Sequence, residues 1–77
     1  MNEDKIIKIF SEVLKLDKSK VSINTTAEQI EQWDSLGHLA FLSAIDEATS
    51  GEASKIENLG AQKSLKNILD LLNKNNL

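Results

Sequence analysis

The 77-residue chain has no cysteine and a single histidine. Disulfides and a structural zinc site are therefore both excluded as staples, since a structural zinc takes about four thiolate or imidazole ligands. Any thiol chemistry has to be borrowed from outside the chain. No apolar run approaches the roughly 20 residues that a membrane-spanning helix needs. The start, Met1-Asn2-Glu3-Asp4, lacks the basic residues and apolar stretch of a secretory signal. The expectation is a cytoplasmic protein with no membrane span. β-Branched residues are sparse and apolar–polar alternation is missing, so nothing reads as strand. One domain over residues 1–77 is expected, and a domain of this size buries only about 60% of the surface its unfolded chain exposes. Its core is therefore modest.

Lysine is also missing where it would be most telling. Between Val21 and Ser54 there is none, while Glu28, Glu31, Asp34, Asp46, Glu47 and Glu52 fall in that stretch; all nine basic residues lie outside it. The net charge of −3 thus conceals an acidic middle flanked by basic ends. An acidic surface attracts basic protein surfaces, speeds their encounter at low salt and argues against nucleic acid as a partner. The plainer alternative is a solubilising surface.

What is present reads as helix. Ile6, Ile9, Phe10, Val13 and Leu16 recur at spacings of three and four, with Ile7 and Leu14 widening the stripe, which predicts an amphipathic helix over residues 4–16. Asn2 or Asp4 can cap it, and Lys15 and Lys18 suit its negative end. Residues 17–32 show no sustained period, only the isolated apolar anchors Val21, Ile23 and Ile30. This is a long loop, of the kind that is usually functional or disordered, and the anchors favour order. A short helical turn can follow Thr25 or Thr26, with Glu28 placed for a capping interaction.

A second helix is predicted over residues 35–48. Leu36, Leu39, Leu42 and Ile45 step by three along a stripe expected to face the core. Gly37, Ala40 and Ala44, flanked by Phe41, make a small-residue side that is expected to serve as a docking surface, with Leu36, His38 and Glu47 completing the set. A helix so apolar is normally covered on more than one side. The alternative stays open that Gly37 and the alanines simply sit beneath a neighbouring loop. Thr49-Ser50-Gly51 ends this helix. Residues 52–58 hold only Ala53 and Ile56 as apolar contacts and form at most a short, weakly held helix. Ser64 can cap a last helix on which Leu65, Ile68, Leu69 and Leu72 share a face. The predicted fold is all-α: a small bundle of three main helices plus one short helix, with a long loop between the first and second.

The chemistry-bearing residues gather at the start of the second helix, in Trp33-Asp34-Ser35-Leu36-Gly37-His38-Leu39. Ser35 sits where unpaired N–H groups and the positive end of the helix dipole favour an attached anion. His38, three positions on, is near enough for a serine–histidine contact, the seed of a nucleophilic site. A hydrolase would also need an oxyanion hole and a water-excluding pocket, for which a bundle of this size has little room. No enzymatic activity is expected, and His38 reads as a surface histidine able to contact a bound anion when protonated. A plain N-cap is the bland role open to Ser35.

The Asp34-Ser35-Leu36 triplet resembles the attachment motif of acyl carrier proteins. The leucine ladder, the acidic middle, the long preceding loop and the helix order extend that resemblance over nearly the whole chain. The resemblance implies that a phosphopantetheinyl transferase moves 4′-phosphopantetheine from coenzyme A onto the Ser35 hydroxyl, with Asp34 the acid that precedes it. Leu36 would be the apolar residue used in packing and in partner recognition. The arm would supply the missing thiol and hold an acyl or aminoacyl group as a thioester, as in lipid or fatty acid biosynthesis. Acyl-loading and acyl-transfer enzymes with basic docking surfaces are the implied partners of a monomeric carrier. Carriers of the general fatty-acid pathway usually bear acids at the second and fifth positions after the serine, which here are Gly37 and Ala40. They also commonly carry an aromatic residue where this chain has Ala48 and Thr49. The chain looks more like a discrete carrier serving a specialised route. Outside the resemblance, the other function open to these residues is an unmodified helical adaptor that binds a basic protein through its second helix.

Overall fold

A computed structural model describes residues 1–77, and it is all-helical with no strand. Helix α1 spans Glu3–Leu14, α2 spans Ser35–Ala48 and α3 spans Leu65–Lys74. The expected short helix does not form: in its place stand two separate single 3₁₀ turns, Ala53–Lys55 and Leu59–Ala61, in a segment that only Ala53, Ile56 and Leu59 anchor to the core. Two further 3₁₀ turns, Lys18–Lys20 and Ala27–Gln29, punctuate the long loop. No helix is long and apolar enough to cross a membrane.

Each main helix starts on a side-chain cap. Asn2 Oδ1 accepts from the Lys5 N–H at 2.8 Å, Asp34 Oδ1 from the Gly37 N–H at 2.8 Å, and Ser64 Oγ from the Asn67 N–H at 3.2 Å. Such a bond satisfies one of the N–H groups that a helix start leaves without an intrahelical partner. Helix α1 stops two residues short of its apolar pattern because Lys15 turns into the left-handed region at φ 57°, and Leu16 packs on the core from outside the helix. Past α2 the reversal uses two residues of positive φ, Ser50 at 55° and Gly51 at 84°.

The core gathers Ile6, Phe10 and Leu14 from α1, Phe41 and Ile45 from α2, and Leu65, Ile68, Leu69 and Leu72 from α3. Trp33, which no periodicity singles out, lies 4% exposed at its centre. Its ring meets Phe10 edge-on with centroids 4.8 Å apart, and Phe41 stands 5.0 Å from Phe10 at 86°. These three residues are all the Phe, Tyr and Trp in the chain. Edge-to-face pairs of this kind contribute about 0.5–1.5 kcal/mol each beyond the area they bury.

The long loop is ordered by its anchors: Val21 is buried, Ile23 and Ile30 are partly so. Backbone bonds tie it to the approach to α3, from the Ala27 N–H to the Lys63 carbonyl at 2.9 Å and from the Leu65 N–H to the Thr25 carbonyl at 3.1 Å. Its middle turn is capped by Gln29, whose Oε1 accepts from the Thr26 N–H, and Glu28, the residue expected there, stays exposed. At its start Asp17 accepts from the Ser19 backbone N–H, which holds that carboxyl below its usual value.

Candidate functional site

Helix α2 is turned differently from the expectation. Its buried residues are His38, Phe41 and Ile45, whereas Leu36 and Leu39 are 79% and 62% exposed. The reason is geometric. At about 100° per residue, a run stepping by three winds around the helix, so that Leu36 and Ile45 point to opposite sides, while His38 and Ile45 differ by only about 20°. The leucine ladder is therefore not the core stripe: Ile45 is in the core, Leu42 half-buried, and Leu36 and Leu39 outside. Histidine takes the core place that leucine was expected to fill.

The docking set changes accordingly. Phe41 is fully buried and His38 7% exposed, so neither presents a surface to a partner. Gly37 faces inward. A Cβ there would lie 2.1 Å from the Gln32 carbonyl oxygen and 3.0 Å from Leu14 Cδ2, so this glycine exists to let the preceding loop cross the helix. Ala44 is half-buried and borders a groove against Ile9 and Val13 of α1. Leu36, Ala40 and Glu47 remain exposed.

Ser35 is the first residue of α2, exposed, and it does not cap the helix. Asp34 performs that role from the position before it. With the Gly37 N–H on the Asp34 carboxylate and the His38 N–H on the Asp34 carbonyl at 2.8 Å, the N–H groups of Ser35 and Leu36 have no acceptor within the chain. A free hydroxyl thus stands beside two free donors at the positive end of a 14-residue helix. That combination suits a phosphodiester on Ser35 Oγ.

The serine–histidine contact does not form. The indole N–H of Trp33 can only donate, so His38 Nδ1, 2.8 Å away, is the acceptor. Nε2 then carries the proton and donates to the Gly60 carbonyl at 2.8 Å. With both ring nitrogens committed, His38 has none left to activate the Ser35 hydroxyl. Trp33 and His38 occupy the positions before the cap and in the second turn that an apolar staple normally joins. Here a buried hydrogen bond replaces that apolar contact.

Along α2 from Leu39 to Asp46 runs a groove of about 320 Å³, lined by Leu39, Leu42, Ser43 and Asp46 on the helix side and by Ala53, Ser54, Ile56, Leu59 and Gly60 opposite. Leu39, the lining residue nearest Ser35 in sequence, lies one helical turn beyond it, and Ser35 itself is outside the lining. No cluster of three or more His, Asp or Glu is placed to hold a metal ion. Compared with protein-family models, curated proteins and solved structures, the chain matches none.

Proposed function

We propose that the protein is a carrier whose Ser35 hydroxyl accepts 4′-phosphopantetheine from coenzyme A under the action of a separate transferase. The observation that carries this reading is the division of labour at the start of α2: Asp34 caps, and Ser35 is left exposed and uncommitted. A serine kept only for capping would hold its oxygen on the helix N–H groups. The unpaired N–H groups of Ser35 and Leu36 favour the added negative charge by about 0.3–1 kcal/mol, so the helix tolerates the modification. When attached, the arm supplies a thiol that carries an acyl or aminoacyl group as a thioester and presents it to partner enzymes. The chain itself provides the anchor, the exposed leucines 36 and 39 beside it as an apolar contact, and an acidic flank at Glu31 and Glu47 for basic partners. The catalytic steps belong to those partners.

Because the chain has no cysteine, a thiol count is a direct test. After incubation with coenzyme A, magnesium and a broad-specificity phosphopantetheinyl transferase, followed by desalting, a maleimide dye labels the wild type once per chain and leaves Ser35→Ala unlabelled. Equal labelling of the two, or no labelling of the folded wild type with more than one transferase, contradicts the proposal. Leu36 and Leu39, 79% and 62% exposed, also suit the adaptor, which would bind a basic protein without any modification. Salt-sensitive binding by a chain inert to every transferase would favour it.

A further inference from the structure

The segment Glu52–Gln62 crosses the flank of α2 as a strap and forms the outer wall of the groove. It is tied to α2 at both ends. At the first, the Ala53 N–H donates to Thr49 Oγ1 at 3.0 Å and the Ser54 N–H to Asp46 Oδ1 at 2.9 Å. At the other, a single side-chain bond holds it, from His38 Nε2 to the Gly60 carbonyl at 2.8 Å. Between the ties the strap makes two 3₁₀ turns and reverses at Asn58, a non-glycine residue at φ 70°. Its inward contacts are few, chiefly Ala53, Ile56 and Leu59. A segment with so little buried area opens at low free energy unless its ends are pinned.

We propose that His38 is the positioning residue that latches the strap, and that the Trp33 indole sets the latch by fixing the histidine tautomer. The indole N–H occupies Nδ1 and forces the proton onto Nε2, the nitrogen that faces Gly60. Without that bond the other tautomer would set two acceptors, Nε2 and the Gly60 carbonyl, against each other. The width of the groove between α2 and the strap is thereby governed from the aromatic core, through one buried ring 7% exposed to solvent. Nothing in this depends on whether Ser35 is modified, and the latch can be tested on the unmodified protein.

Two amide replacements separate the halves of the ring. In His38→Gln the side-chain amide reaches the Nε2 position and can still donate to Gly60; in His38→Asn it reaches only the Nδ1 position and cannot. Residue-resolved hydrogen exchange on the unmodified protein is expected to show the Leu59, Ala61 and Gln62 amides exchanging about tenfold faster in His38→Asn. Exchange at these amides in His38→Gln should stay near the wild type, and the α1 and α3 amides should be unchanged relative to each other in both. In the wild type, ¹⁵N resonances of the imidazole should show a single Nε2–H tautomer. In Trp33→Phe, if folded, the second tautomer should appear and strap exchange should rise. Equal strap exchange in the Gln and Asn variants, acceleration spread evenly over α1 and α3, or a mixed tautomer in the wild type would overturn the latch. The wild-type tautomer measurement stands even if a variant fails to fold.

Discussion

At the start of α2 two single residues, Ser35 and Gly37, behave in opposite ways. Ser35 contributes nothing to the packed core, so Ser35→Ala is expected to change the melting temperature by no more than about 2 °C while abolishing modification, read by thermal denaturation beside the thiol assay. Gly37 is the opposite case. Gly37→Ala drives a methyl into the Gln32 carbonyl, a backbone atom with no rotamer to retreat to. A loss of about 1–3 kcal/mol in denaturant unfolding is expected, and a neutral outcome would mean that the loop does not cross the helix as described. Ser11 offers a gain. Its hydroxyl is buried on α1 with no hydrogen-bond partner, and Ser11→Ala removes an unsatisfied polar group at small volume cost. Stability should rise by about 1 kcal/mol. None of these residues betrays its environment through hydrophobicity: Gly37 read equally as part of a docking strip or as a residue beneath a neighbouring loop, and the Gln32 carbonyl lying against it decides for the loop.

At the scale of the element, α2 begins through Asp34 and is oriented by Trp33 and His38. Asp34→Ala removes the cap and should cost about 1 kcal/mol, measured by urea unfolding, with Asp34→Asn recovering most of it because its amide oxygen can accept the same N–H. The helices differ in how far their sequences reveal them. In α1 and α3 the apolar residues fall on one face and polar residues on the other, so extent and buried side were both legible, within a turn at the end of α1. In α2 the bounds were legible from Asp34-Ser35 and Thr49-Ser50-Gly51, but the capping residue, Asp34 rather than Ser35, and the buried face were not. Apolar residues surround that helix, and the choice between faces is made by partners outside it: the indole of Trp33 just before its cap, and the carbonyl of Gly60 and the ring of Phe10, which are distant in sequence. The strap was legible only as weakly apolar, which agrees with its two isolated 3₁₀ turns. Asn58 at its bend should be replaceable by glycine with little loss, whereas Asn58→Ala should cost about 1 kcal/mol at that positive φ.

For the whole molecule, the division between acidic middle and basic ends is a property of sequence that survives folding, with Glu28, Glu31, Asp34, Glu47 and Glu52 all exposed. If a basic enzyme surface docks there, the rate constant for modification by a transferase should fall several-fold between about 50 and 500 mM salt, because the Debye length over which exposed charges act shrinks from about 14 Å to about 4 Å across that range. The central claim, that Ser35 is an attachment point, is tested most directly by intact-protein mass spectrometry after incubation with coenzyme A, magnesium and a phosphopantetheinyl transferase. The account predicts a gain of one phosphopantetheinyl group on the wild type, mapped to the peptide containing Ser35 and absent from Ser35→Ala. An unchanged mass for the folded wild type with more than one transferase, or a group mapped to another serine, would contradict it.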